Sequence, residues 1–325
     1  MSKHKSSRLD EVRAKLSAPV IAAPMFLVSN PALSLAVCGE GMIGSFPAHG
    51  TRSREALVEW MDEMDAGLAR LREERGADRV APYAVNLVVH ATNARMPGDL
   101  DLIEARRVPI VLTSKSSPGD VVKRIHAYGG VVISDIATRR HAEKAAEAGV
   151  DGLILVCAGA GGHTGSINPF TLYNEVREVF DGPIVLAGGI TTGRDVFAAQ
   201  MMGADFAYIG TRFLATRESA ATDDHREMIL RARSTDIFNT AALDGAPANF
   251  ISESLVRAGI DLDELRVTRP GKIVGADSTS KRWKDIWSAG QAAGAIHDIP
   301  SAADLCRRIV AQYNAAKAEA RALLS

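Results

Sequence analysis

His163 stands in a run of small residues, Ala158-Gly159-Ala160-Gly161-Gly162-His163-Thr164-Gly165. The glycines before it carry no side chains, so nothing shields its imidazole from a bound ring. Imidazole titrates near neutrality and can take a proton from carbon or donate a hydrogen bond to an anion. A lone histidine is as readily structural, and spacing alone leaves both roles open. Two further segments, Ala187-Gly188-Gly189-Ile190 and Ile209-Gly210-Thr211-Arg212, follow apolar runs. Their glycines either make tight turns or let backbone N–H groups approach phosphate oxygens beside a helix start. His49 and His90 lie near the ends of other apolar runs and read as structural, whereas His126, His141, His225 and His297 read as solvated helix or flank residues. Cys157 has no basic neighbour in sequence and reads as a small buried residue. No histidine–carboxylate spacing suggests a metal, so no metal site is expected. The loop at Gly159 is not a dinucleotide fingerprint, because its sixth position is Thr164. Neither a Gly-Lys-Ser/Thr phosphate loop nor a G-x-S-x-G elbow occurs.

These segments need elements to position them. Eight short apolar runs recur: 19–25, 42–47, 81–89, 109–113, 131–136, 151–156, 183–188 and 206–210. Most lack alternation, as parallel strands buried on both faces do. Amphipathic stretches separate them. Thr138 and Gly149 bracket one, Thr192 and Gly203 another, and Ser117-Pro118 reads as the start of a third. Residues 54–75 form a longer charged helix, read as a solvated face. Eight strand–helix alternations predict a (β/α)8 TIM barrel, with a doubly wound sheet as the runner-up. Residues 218–280 have a largely helical texture and are read as a helical lid inserted after strand eight. The barrel then comprises 1–217, completed by 281–325.

In such a barrel the site lies at the carboxyl ends of the strands. The residues to weigh there are Ala23-Pro24-Met25, Ser45, His49, Asn86, Thr113-Ser114-Lys115 and Ser134-Asp135, besides the glycine segments. Gly-Gly after strand seven and Gly-Thr after strand eight occupy the two positions where barrels hold phosphate.

The chain has 325 residues, 46% hydrophobic and 24% charged, an ordinary globular composition that excludes disorder and collagen. A net charge of −1 gives no footprint for nucleic acid. No apolar run is long enough to span a membrane, and residues 1–15 have no apolar segment of a secretory signal. Three scattered cysteines fit a reducing, cytoplasmic setting.

The segments PVIAAPM (19–25), YAVNL (83–87), GVDGLILVCAGAGGHTG (149–165), PIVLAGGITTG (183–193), GADFAYIGTRFLATRES (203–219) and WSAGQAAGAI (287–296) together resemble the nitronate monooxygenase family, formerly the 2-nitropropane dioxygenases. They also resemble the related FMN-dependent quinone reductases and enoyl reductases. The resemblance implies an FMN-binding barrel. Ala23, Pro24 and Met25 would line the flavin through their backbone. Asn86 would hydrogen-bond its pyrimidine edge, and Gly161 would approach the ring or ribityl chain. Gly188, Gly189, Gly210 and Thr211 would hold the phosphate. His163 matches the family's substrate-binding or basic histidine, and residues 288–291 resemble a stretch folding back over the flavin. Two positions depart from the family. Val156 stands where many members carry a flavin-contacting Gln, and Asp135 stands where the quinone-reductase branch carries Lys. A carboxylate there would disfavour an anionic reduced flavin.

The implied reaction is oxidative denitrification of a nitronate or nitroalkane with O2, giving a carbonyl compound and nitrite. The alternative is an NAD(P)H-dependent FMN reductase acting on quinones or enoyl thioesters. A noncatalytic FMN- or phosphate-binding regulator is the third reading. The expected partners are the small substrate and O2, with a homodimer left open and no nucleic acid or membrane.

Overall fold

In the computed structural model the described residues are 8–243, 245–268 and 285–324. Eight parallel strands lie where the apolar runs predict them. They are β1 (Val20–Ala22), β2 (Gly44–Pro47), β3 (Tyr83–Val88), β4 (Ile110–Ser114), β5 (Val131–Ile136), β6 (Gly152–Val156), β8 (Ile184–Ala187) and β9 (Phe206–Ile209). The pairing order β1-β9-β8-β6-β5-β4-β3-β2 runs round a barrel. Ile43, just before β2, closes the ring. Its N–H donates to Val20 O at 3.0 Å and its carbonyl accepts from Ala22 at 2.8 Å. A doubly wound sheet would leave β1 and β2 apart.

Strand alternation sorts the side chains into two cores. Ile21, Ile43, Ala84, Ile110, Leu112, Val131, Ile133, Ile154, Val185 and Phe206 fill the barrel interior. Val20, Phe46, Val85, Val111, Val132, Leu153 and Ala207 face the surrounding helices. Leu9, from the helix Arg8–Ala14, is fully buried among the interior residues and plugs one end.

The helices end largely as their caps dictate. Thr138 accepts from His141 N at 3.3 Å. Thr192 and Asp195 form a capping box at Gly193–Met202, and Gly203 ends that helix. Ser117-Pro118 does not open its helix, which starts at Asp120 behind Gly119 (φ 50°). The terminal helix Ala302–Leu324 packs on Gly193–Met202 so closely that a Cβ on Gly193 would lie 2.0 Å from Ile309 O.

Beyond β9 the chain carries the helices Asp223–Arg231, Ser252–Arg257 and Leu262–Val267, and also a hairpin that the sequence reading did not resolve. Its strands are β10 (Ile237–Thr240) and β11 (Ala248–Ile251). β11 pairs on its other edge with β7, the two residues Gly162–His163, placing Ala248 opposite His163. The hairpin and β7 form one three-stranded sheet, so the inserted segment is tied to the glycine loop. Residues 269–284, which include the expected 280–281 boundary, lie outside the described residues. No described helix is long and apolar enough to cross a membrane.

Candidate active site

The glycine-rich segments converge at the carboxyl ends of β1, β6, β8 and β9. Ala23 N donates to Ile209 O at 2.9 Å, which sets Ala23–Met25 beside Gly210. A Cβ on Gly210 would lie 3.6 Å from Ala23 Cβ and 3.7 Å from Met25 Sδ. Met25 N donates to Ser29 Oγ at 2.9 Å, fixing that turn. Gly161 packs against the returning chain: its Cβ would stand 2.8 Å from Gly290 N and 3.2 Å from Thr211 Oγ1. Gly290 N donates to Thr211 Oγ1 at 2.9 Å, and Gln291 N donates to Gly159 O at 3.0 Å. Residues 288–291 therefore do fold back onto the glycine loop.

Gly188 (φ 117°) passes close to the backbone of 157–160, where a Cβ would meet Ala158 O at 3.1 Å. Gly189 (φ 76°) is exposed with nothing near its Cβ position. It lines a cleft of about 310 Å³ with Arg233, Ser234, Gln291 and Ala292. The first turn of Gly193–Met202 does not face that cleft with open donors. Thr191 N and Thr192 N donate to Asp195 Oδ2 at 2.9 and 2.8 Å, and Gly193 N donates to Gln312 Oε1 at 3.0 Å. A helix dipole aimed at phosphate is therefore not what this turn offers. What borders the mouth there is the glycine backbone of 188–189 and the start of Thr211–Leu214.

The opposite half of the mouth carries side-chain chemistry. Asn86 Nδ2 donates to Leu112 O at 3.1 Å and Ser114 Oγ at 3.2 Å, so its Oδ1 is the group left to accept from a ligand. Asp135 alternates with the interior residue Ile133, and its Oδ1 is sealed without a hydrogen-bond partner. Burial pushes its carboxyl up to about 7. Val156 and Tyr208 stand on the same interior wall.

His163 is exposed at the mouth, and Lys115 Nζ donates to its Nε2 at 2.6 Å. Lys115 follows β4 with φ 78°, a left-handed backbone unusual for a residue with a side chain. Behind the pair, His49 stacks on Phe26 with ring centroids 5.1 Å apart. Burial, then the charges of Arg95 and Lys115, push His49 down to about 4, so it stays neutral. Arg95 donates to Thr51 O at 2.6 Å and Ser53 O at 3.2 Å, tying the loop after β2 to that after β3.

Sequence reasoning weighed Lys115 only as a strand end, and it passed over Tyr208 and Arg233. The positive φ of Lys115 and the meeting with His163 are tertiary facts. Tyr208 was findable, since it alternates with the interior Phe206. His225 is buried and stacked on Trp287 at 4.9 Å, rather than solvated. Cys157 is buried as expected, with its thiol pushed up to about 12 by burial.

The family model for nitronate monooxygenase matches residues 8–312. The chain belongs to the nitronate monooxygenase family. A nitronate monooxygenase from Paraburkholderia phytofirmans is 27% identical over 334 residues, 87% of this chain and 89% of that protein. The chain is 32% identical over 177 residues to (3aS,4S,5R,7aS)-5-hydroxy-7a-methyl-1-oxo-octahydro-1H-indene-4-carboxyl-CoA dehydrogenase from Rhodococcus jostii, covering 54% of this chain and 50% of that enzyme. The chain thus spans about half the length of that relative. It spans 64% of the Mycobacterium tuberculosis protein of the same name, at 29% identity over 242 residues. The fold matches nitroalkane oxidase from Streptomyces ansochromogenes with a TM-score of 0.80, at 22% identity over 95% of this chain and 99% of that one.

Proposed function

We propose that this protein is an FMN-dependent nitronate monooxygenase, converting alkyl nitronates and O2 to a carbonyl compound and nitrite. The observation that carries this reading is the Lys115–His163 pair, 2.6 Å apart at the barrel mouth. A nitronate is an anion with its charge on two oxygens. An ammonium and an imidazole side by side suit it.

The residues present fit a flavin mononucleotide. The backbone of Ala23–Met25 and Gly188–Gly189, with Gly210–Thr211, would hold it, and the cleft at Gly189 has room for one phosphate group. Asn86 Oδ1 would accept from the ring's edge. When bound, FMN supplies the one-electron chemistry. The chain's own side chains do the rest. Lys115 would hold the nitronate oxygens, and His163 would donate to them from whichever ring nitrogen carries hydrogen. With a neutral nitroalkane, Lys115 would turn to the nitro group and His163 Nε2 would take the Cα proton. Exposed Phe26 and Leu27 offer an apolar face to the alkyl group. In this reading residues 1–217 and 281–325 form the cofactor-holding barrel, and 218–280 the lid.

The test is anaerobic mixing of the flavin-loaded protein with an alkyl nitronate and, separately, with NADH or NADPH. Nitronate alone is expected to change the flavin absorbance, with both nicotinamides inert. Bleaching by a reduced nicotinamide while nitronate does nothing would replace this reading with the reductase one.

A further inference from the structure

Asp135 is the position in the mouth that the reaction above does not use. Among the described residues no hydrogen bond or ion pair reaches its carboxyl group, and Oδ1 is fully sealed. The residue as a whole is only half-buried, so the carboxyl lies just beneath the mouth rather than deep in the barrel. Its surroundings are apolar on the strands beside it. Ile154 is its partner on β6, and Ile133 lies one turn of the pleat below.

An ionised carboxylate in such a place has no donor from the described residues, and its sealed Oδ1 has no water to replace its hydration. The energetically accessible state is the neutral acid. A neutral acid carries one O–H donor. Two neighbouring polar groups of this wall already have other partners. Ser114 accepts from Asn86 at 3.2 Å. Lys115, at the end of β4, is held on His163 at 2.6 Å. Tyr208, from β9, is the titratable group that feels Asp135 directly. Burial, then the charge of Asp135, holds its phenol well above the ordinary range, so it stays neutral. No described cation pairs with Asp135, and no described acceptor takes its proton.

We propose that Asp135 is a protonated hydrogen-bond donor to the flavin on the barrel mouth, and that losing this proton lowers the flavin's affinity for electrons. The inference rests on the flavin site described above. The second half follows from charge. Reduction adds electron density to the ring, and a negative carboxylate beside it opposes that. By linkage, reduction also raises the proton affinity of Asp135, so reduction and protonation assist each other. Since burial already pushes the carboxyl to about 7, the coupling falls in the neutral range.

The experiment is a redox titration of the holoprotein against dyes between about pH 6 and about pH 9, a span chosen to cross this range. It compares the parent with Asp135→Asn, which is neutral at every pH and keeps an N–H donor of similar size. Asp135→Ser serves as a smaller neutral replacement should the amide disturb folding. The two potentials are expected to coincide at the acid end. With rising pH the parent's should fall progressively below that of the variant. The reduced-to-oxidised ratio at a fixed ambient potential should differ by about tenfold or more at the alkaline end, equivalent to one unit of coupled pKa. Parent and variants running parallel across the range, with flavin bound in all, would overturn the role of Asp135. Protein that takes up no flavin would overturn the cofactor site itself, and this proposal with it.

Discussion

Lys115→Met and His163→Asn are each expected to keep the bound flavin and lose activity; with a neutral nitroalkane, whose Cα proton must be removed, the histidine variant should lose about 10²–10⁴-fold in turnover, the usual range for a positioned proton-transfer group. The two side chains touch at 2.6 Å and, in the proposed reaction, act on the same anionic oxygens, so their effects should not add. The double variant is expected to be little worse than the weaker single one. For a substrate already in the nitronate form, Lys115→Met should raise KM more than it lowers kcat, because the charge attraction exists in the ground state. The backbone at Lys115 supplies a second handle. Its φ of 78° costs of order 1–3 kcal/mol for a residue with a Cβ, a cost the fold carries where a side chain must be aimed. Lys115→Gly removes that strain. It is therefore expected to be at least as stable thermally as the parent while being as inactive as Lys115→Met. Steady-state kinetics, flavin absorbance and a melting curve on the same preparations check all of this. Full activity in His163→Asn would remove the histidine from the mechanism, and additive losses would separate the two residues.

How much of this was legible beforehand follows from what fixes each feature. The barrel strands are short, apolar and β-branched, because parallel strands must be buried on both faces, and that composition is visible without a structure. The caps at Thr138 and Thr192 are local chemistry, and they act where they stand. Ser117-Pro118 has the same local signature, but the strained turn at Lys115 and Gly119 delays the helix to Asp120. β10 and β11 were hidden for a different reason. Each has four residues with no clean alternation, and the sheet exists because β11 also pairs with Gly162–His163, some eighty residues earlier. Leu9, with Val12 and Leu16, lies in an otherwise charged segment, and only the closed barrel reveals the hole that Leu9 fills. In the site, the glycine segments were readable because their function is to have no side chain. Lys115 was not, because its role depends on a histidine forty-eight positions away meeting it across the mouth.

The return segment 287–291 shows how tightly that mouth is assembled, and Gly290→Ala tests it. The segment is fastened at its first residue. Ile251 N donates to Trp287 O at 2.9 Å, and Trp287 N donates to Ser254 Oγ at 3.0 Å. The Trp287 ring lies between His225, at 4.9 Å, and the Arg257 guanidinium, at 4.3 Å. Three residues later Gly290 is pressed against the glycine loop. A Cβ there would lie 2.6 Å from Gly159 O and 2.9 Å from Gly161 N. Both are backbone atoms, so no rotamer change relieves the clash. With Trp287 held, the chain must bend at 289–290 and lift away. That forfeits the bonds from Gly290 N to Thr211 Oγ1 and from Gln291 N to Gly159 O. At about 1 kcal/mol each, the loss is about 2 kcal/mol from the cradle that Gly161 and Thr211 would offer the flavin. Flavin affinity is therefore expected to fall about 30-fold, measured by fluorescence titration of the apoprotein. His163 sits two residues beyond Gly161 and should be misplaced as well, so turnover at saturating flavin should drop too. Gly76→Ala is the control: it also has positive φ, 89°, but nothing lies near its Cβ position. It should cost about 1 kcal/mol of stability and leave flavin affinity unchanged. Parental flavin affinity in Gly290→Ala would mean that the return segment covers the loop without shaping it.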